Sequence, residues 1–261
     1  MTVSARAWPA ALLASALLAT APAAWAIDPF EIQVYDGTAN DPGQAGIELH
    51  VNTVAAGLRM AAPPELPPNH QTHLTAEPSL GLTRWWEVGA YLQTTVRADG
   101  GFDYAGTKLR SKFVRPKGEN DRLWLGVNVE VSYLPPAYDR YRWGAELRPI
   151  GAGSAAGGRF AWAINPILDF GLAGQSLGQA PAFEPALSAV VVWPGRLSAG
   201  LELYSDFGPL SGLAPVDEQQ HYVFEVVNVL RWRRVEINAG VGEGLTAASN
   251  RWVVKAILGF D

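Results

Sequence analysis

The chain has no cysteine, which excludes a disulfide framework, thiolate metal sites and a cysteine nucleophile. It has no repeated apolar runs of about 18 or more residues, so it is not a polytopic helical membrane protein. Charged residues make up only 17% of the chain, and its formal charge of -5 lacks the basic footprint of a nucleic-acid binder. What is present points elsewhere: 48% hydrophobic and 10% aromatic content rules out a disordered chain. The 261 residues fit one undivided all-β domain.

Residues 1–26 read as an export signal. Arg6 supplies a positive start, Ala10 to Ala21 is apolar except for Ser15 and Thr20, and Ala24-Trp25-Ala26 is a small-x-small cleavage site. Its removal would leave Ile27 first and, because Arg6 is the one charge lost, take the net charge from -5 to -6. No cysteine follows the site, so a lipid anchor is not expected.

From about residue 44 the dominant signal is alternation with period two, as in Ile47-Glu48-Leu49-His50-Val51-Asn52 and Leu197-Ser198-Ala199-Gly200-Leu201-Glu202-Leu203. Twelve such segments are predicted, at 45–56, 72–82, 86–97, 106–115, 122–134, 141–149, 160–170, 182–192, 196–205, 221–231, 235–242 and 250–260. Most have roughly the 9 to 11 residues of a tilted membrane strand. Short turns, including a Gly-rich one at Gly151 to Gly158, interleave with longer loops, which predicts an up-and-down meander with both ends on the short-turn side. A soluble barrel would bury its apolar face inward and seldom needs twelve long strands. Trp85, Trp86, Trp193 and Trp232 sit where strands meet turns, as an interfacial girdle requires. The expected fold is therefore all-β: a single transmembrane antiparallel barrel over 44–261, in the bacterial outer membrane and surrounded by its lipid. Residues 27–43, where Phe30, Ile32 and Val34 alternate, are expected to form a periplasmic or inward-folded segment that narrows the pore.

Trp252, Val254, Ala256, Leu258 and Phe260 share one face of the last strand, which looks like the signal read by the outer-membrane assembly machinery. Pro29-Phe30-Glu31-Ile32-Gln33-Val34-Tyr35, Trp86-Glu87-Val88-Gly89-Ala90-Tyr91-Leu92, Lys108-Leu109-Arg110-Ser111-Lys112-Phe113 and Trp252-Val253-Val254-Lys255-Ala256-Ile257-Leu258-Gly259 carry a family likeness. With them the chain resembles a group of proteobacterial outer-membrane proteins. It is more distantly similar to transporter-like barrels associated with aromatic-compound degradation. The resemblance implies a β-barrel of the outer membrane and no catalytic residue, and it speaks to location and fold far more than to substrate; the function expected of such a barrel is passage of small solutes, polar or aromatic ones among the candidates.

If apolar residues face lipid, the opposite set lines the lumen: Glu48, His50, Glu77, Glu87, Arg97, Lys108, Arg110, Lys112, Arg122, Glu130, Arg142, Glu146, Arg148, Asp169, Glu184, Glu202, Glu225, Glu236, Arg251 and Lys255. Bases gather early and acids late, so a transverse field across a narrow lumen is expected; a Glu/Arg network that fills a closed barrel is the competing expectation. His70 and His73 have i, i+3 spacing but straddle a loop boundary, and no metal site, cofactor or enzyme activity is expected. Pro63-Pro64-Glu65-Leu66-Pro67-Pro68 reads as a stiff spacer in the first loop. Loops 57–71 and 206–220 would contact a partner if the barrel were closed.

Overall fold

The computed structural model describes residues 28–116, 118, 122–139, 141–232 and 235–260. The predicted export signal at 1–26 lies outside the described residues, as do most of the turn at 116–121, Arg233, Arg234 and Asp261.

Fourteen strands follow in chain order: β1 Ala45–Ala56, β2 Thr72–Thr83, β3 Trp86–Val96, β4 Phe102–Val114, β5 Leu123–Tyr133, β6 Trp143–Ala155, β7 Phe160–Asn165, β8 Leu168–Gly171, β9 Ala182–Phe183, β10 Ala186–Trp193, β11 Leu197–Asp206, β12 Gln220–Trp232, β13 Val235–Gly244 and β14 Trp252–Phe260. They make twelve staves, because β7 with β8 and β9 with β10 each form one crossing interrupted by a proline, Pro166 or Pro185. Proline cannot donate to the ladder, so a break at these two points is required. Every pairing is antiparallel; β1 pairs β14 and β5 pairs β6, which closes the sheet. Closure removes all edges, the condition for a sheet to stand in hydrocarbon.

The alternation sets the two faces. In β1, Ile47, Leu49 and Val51 are exposed while His50 and Asn52 are buried. Leu109, Leu125, Val129, Leu201 and Val254 continue the outer belt around the barrel. Trp85, Trp86 and Phe113 stack at the short-turn end, with ring centroids 5.9 to 6.1 Å apart. At the opposite end Tyr133 meets Trp143 at 5.0 Å. An apolar belt between aromatic girdles is the surface of a membrane barrel, and with the long loops at one end it places the chain in the bacterial outer membrane.

Two strand ends differ from the sequence expectation. β6 runs on to Ala155 through the Gly-rich stretch because Gly151 and Gly153 pair with Ile164 and Trp162 of β7. The turn is confined to Ala156–Gly158, where Gly157 and Gly158 take positive φ. β4 starts earlier, at Phe102, because Gly106 (φ 155°) absorbs a bulge opposite Gln93 and Thr94 and lets pairing continue to Val96.

Candidate functional site in the barrel lumen

The interior is not empty, because residues 28–43 lie within it and form no strand. Their backbone is held by inward side chains from around the wall. Asn52 donates to the Pro29 carbonyl (2.9 Å) and Thr75 to that of Phe30 (3.0 Å). Lys255 reaches the Ile32 carbonyl (3.0 Å), and Asn165 both accepts from the Tyr35 N–H (2.7 Å) and donates to its carbonyl (3.0 Å). Near the short-turn end Asn40 donates its N–H to Glu87 (2.6 Å) and its amide to Ser79 (2.9 Å). Chain without a ladder of its own needs such partners when it is buried.

Apolar contacts fix the same path. Phe30 is fully buried against Ala105, Leu134 and Tyr138, and its ring meets His73 edge-on at 4.6 Å. Ile32 packs on an inward apolar patch of Tyr204, Tyr222, Phe224, Val226 and Val253.

The charged groups form three connected clusters. Toward the long-loop end Lys108 Nζ contacts Asp28 (2.5 Å), Glu130 (3.2 Å) and Glu31 (3.3 Å). Arg148 pairs with Glu146 (2.6 Å) and Glu31 (3.2 Å), and lies 4.5 Å above the Tyr35 ring. The Tyr35 hydroxyl donates to Glu31 (2.9 Å) and lies 2.7 Å from that of Tyr91, which bonds to Glu130. Midway, Arg110 joins Glu77 (2.6 Å) to Glu87 (2.7 Å), and Lys112 also reaches Glu87 (2.8 Å). Across the lumen Lys255 pairs with Glu202, which also accepts from Tyr204 (2.5 Å).

These distances replace the expected separation of charge by local neutralisation. The bases of β4 and β6 meet acids of β2, β3, β5 and β6 and of the 28–43 segment, because buried charges persist only when paired. Of the residues predicted for the lumen, His50, Glu77, Glu87, Lys108, Arg110, Glu130, Arg148, Glu202 and Lys255 are buried. Glu48, Lys112, Glu146, Asp169 and Glu184 are half-buried and line the cavities on either side of the segment, whereas Glu236 is exposed at the mouth of one. Arg97 binds Asp99 and Asp103 at the outer rim (3.1 and 2.9 Å), and Arg122, Arg142 and Arg251 are exposed at strand ends, outside the clusters.

Glu225 corrects the sequence reading. It is exposed, in register with the outward Leu201 and Val241, while its neighbours Phe224 and Val226 are buried. The phase of β12 is set by Asn228, whose amide donates to Ser198 (3.0 Å), and by the packing of Phe224 and Val226 on Ile32, so the lone acid is carried outward. A carboxylate against lipid costs less than the roughly 2 to 4 kcal/mol of a midplane Arg or Lys. Glu225→Val is accordingly expected to raise stability by about 1 kcal/mol in urea unfolding from vesicles.

Asp28, Glu31, Gln33 and Tyr35 were absent from the predicted lumen set. The sequence signal was the mixture in Pro29 to Tyr35 of apolar alternation with inward-type polar residues, too short to be a stave but matched to an apolar and a charged wall.

Among the described residues, two of the cavities that border the segment, both larger than a third beside Pro29 and Ile32, lie on either side of it. The larger, about 410 Å³, opens toward the short-turn end and is lined by Gln33, Glu48, Glu77, Arg110, Lys112, Trp124, Trp162, Asn238 and Lys255, among others. The smaller, about 70 Å³, lies beside Asp28, Lys108, Glu130 and Tyr138.

No family model and no curated protein matches the chain. Among solved structures it is similar to an outer-membrane channel from Pseudomonas putida F1, with a TM-score of 0.59 at 12% identity, over 88% of this chain and 99% of that one. It is also similar to the KdgM porin, in the free form and in complex with disordered oligogalacturonate. Both give a TM-score of 0.53 over 83% of this chain and 98% of that one, at 9% and 8% identity respectively. At such identity the likeness concerns the fold, which is that of an outer-membrane β-barrel.

Proposed function

We propose that the protein is an outer-membrane channel that lets small polar or aromatic solutes diffuse through, with residues 28–43 setting the bore. The observation that supports this best is the polar cavity of about 410 Å³, which opens at the short-turn mouth and ends against that segment. Solutes larger than this space would need the segment to move. Trp124 and Trp162 line the same cavity as Arg110, Lys112 and Lys255, so planar and anionic groups both find partners there. Insertion is proposed to proceed through the assembly machinery that reads the C-terminal strand.

Planar-bilayer recording tests the reading. Discrete conductance steps are expected, with ion selectivity that shifts toward anions in Glu48→Gln and toward cations in Lys112→Gln. Absence of steps from correctly folded protein would overturn it. The second reading is a closed binding barrel whose long loops meet a partner. It rests on Phe30 at 0% and Tyr35 at 6% exposure, which fill the middle of the lumen.

A further inference from the structure

We propose that Glu48, His50 and Glu77 form a binding site for a divalent transition-metal ion, Zn²⁺ above all, on the wall of the larger cavity. Strand geometry brings the three together. Glu48 and His50 are two apart on β1 and so share its inward face. Glu77 of β2 lies directly opposite Glu48 in the register. The three offer one ligand atom each, all within 4.8 Å of one another. His50 Nε2 lies 3.2 Å from Glu77 Oε2 and 3.5 Å from Glu48 Oε2. A tetrahedral zinc ion with bonds of about 2.0 to 2.1 Å holds its ligands about 3.3 Å apart. The two His50–carboxylate separations match that spacing, and the two carboxylate oxygens lie within 4.8 Å of each other, so closing the triad on an ion needs side-chain adjustment alone.

The surroundings favour a cation at this point. Arg110 takes Oε1 of Glu77 at 2.6 Å and leaves Oε2 for the ion, which is the supporting hydrogen bond that ligating carboxylates usually have. Arg110 and Lys112 also share Glu87, so with Glu48 and Glu77 the group holds three acids against two bases. Gln33 of the 28–43 segment also meets the cluster: its amide nitrogen donates to Glu48 Oε2 at 2.9 Å, and its Oε1 is buried without a hydrogen-bond partner. A bound ion would therefore tie the 28–43 segment to the barrel wall. His with two carboxylates and an amide or water oxygen suits zinc better than magnesium or calcium, which prefer all-oxygen sites.

The test is Zn²⁺ titration of the full-length protein in detergent, by calorimetry and by competition with a chromophoric chelator. One ion per chain is expected, with affinity falling at least tenfold in His50→Gln and in Glu48→Gln. Affinity should also fall as pH is lowered, because His50 must lose its proton to ligate. His73→Gln, at a residue whose ring meets Phe30 and Thr95 and not the triad, should bind as the parent does. Glu48 is half-exposed, so its variant keeps the barrel, and heat-modifiable gel migration verifies folding for each. No binding by the folded parent, or binding unchanged in folded Glu48→Gln, would overturn the site. Zinc binding is read without reference to conductance, so its failure and that of the channel reading are separable.

Discussion

Lys255→Met is expected to destabilise the barrel by about 3 to 5 kcal/mol, the range for removing one partner from a buried ion pair. Lys255 is 1% exposed and Glu202 4% exposed, and they pair across β14 and β11 while Lys255 also holds the Ile32 carbonyl. The methionine fills most of the space of the lysine stem, so the loss is electrostatic and not a cavity. Glu202 would retain only neutral donors, the Tyr204 hydroxyl and the Asn238 amide. Adding Glu202→Gln removes the stranded charge yet keeps an acceptor for Tyr204, and most of the stability should return. Urea midpoints for refolding into vesicles check both variants; equal loss in the single and double variants would mean that the contact to Ile32, not the pair, matters.

Deleting residues 28–43 is expected to raise single-channel conductance severalfold. The wall should survive, because its ladders close from β1 through β14 without that segment. The deletion removes Asp28, Glu31, Asp36 and Asp41 and no base. Lys108, Arg148 and Lys255 then lose contacts they make with the segment, so the widened pore should also become anion-selective. Reversal potential in a salt gradient reads that change. An unaltered conductance would mean that the segment does not set the bore.

The staves were legible because the period of two is imposed twice, by lipid outside and by paired charges within. Even the prolines that divide two staves fall inside predicted segments, at Pro166 and Pro185. Strand phase was less legible where the lumen itself is apolar. Phe224 and Val226 face inward to meet Ile32, which no alternation rule applied to β12 alone can reveal. The candidate metal triad was hidden for a related reason. Glu48-x-His50 is visible on one strand, but Glu77 joins it only through hairpin register, fixed by the length of the 57–71 loop. Charge pairing across the lumen, such as Lys255 with Glu202, depends on barrel closure and lies beyond any local pattern.

Isotonic swelling of liposomes containing the intact protein, measured over a series of solutes of rising size, tests the channel most directly. Swelling is expected with the smallest amino acids and sugars and should fall steeply as the solute outgrows the space beside residues 28–43. Rates equal to those of protein-free liposomes for every solute, from protein shown to be folded by its heat-dependent migration, would contradict it and favour the closed barrel.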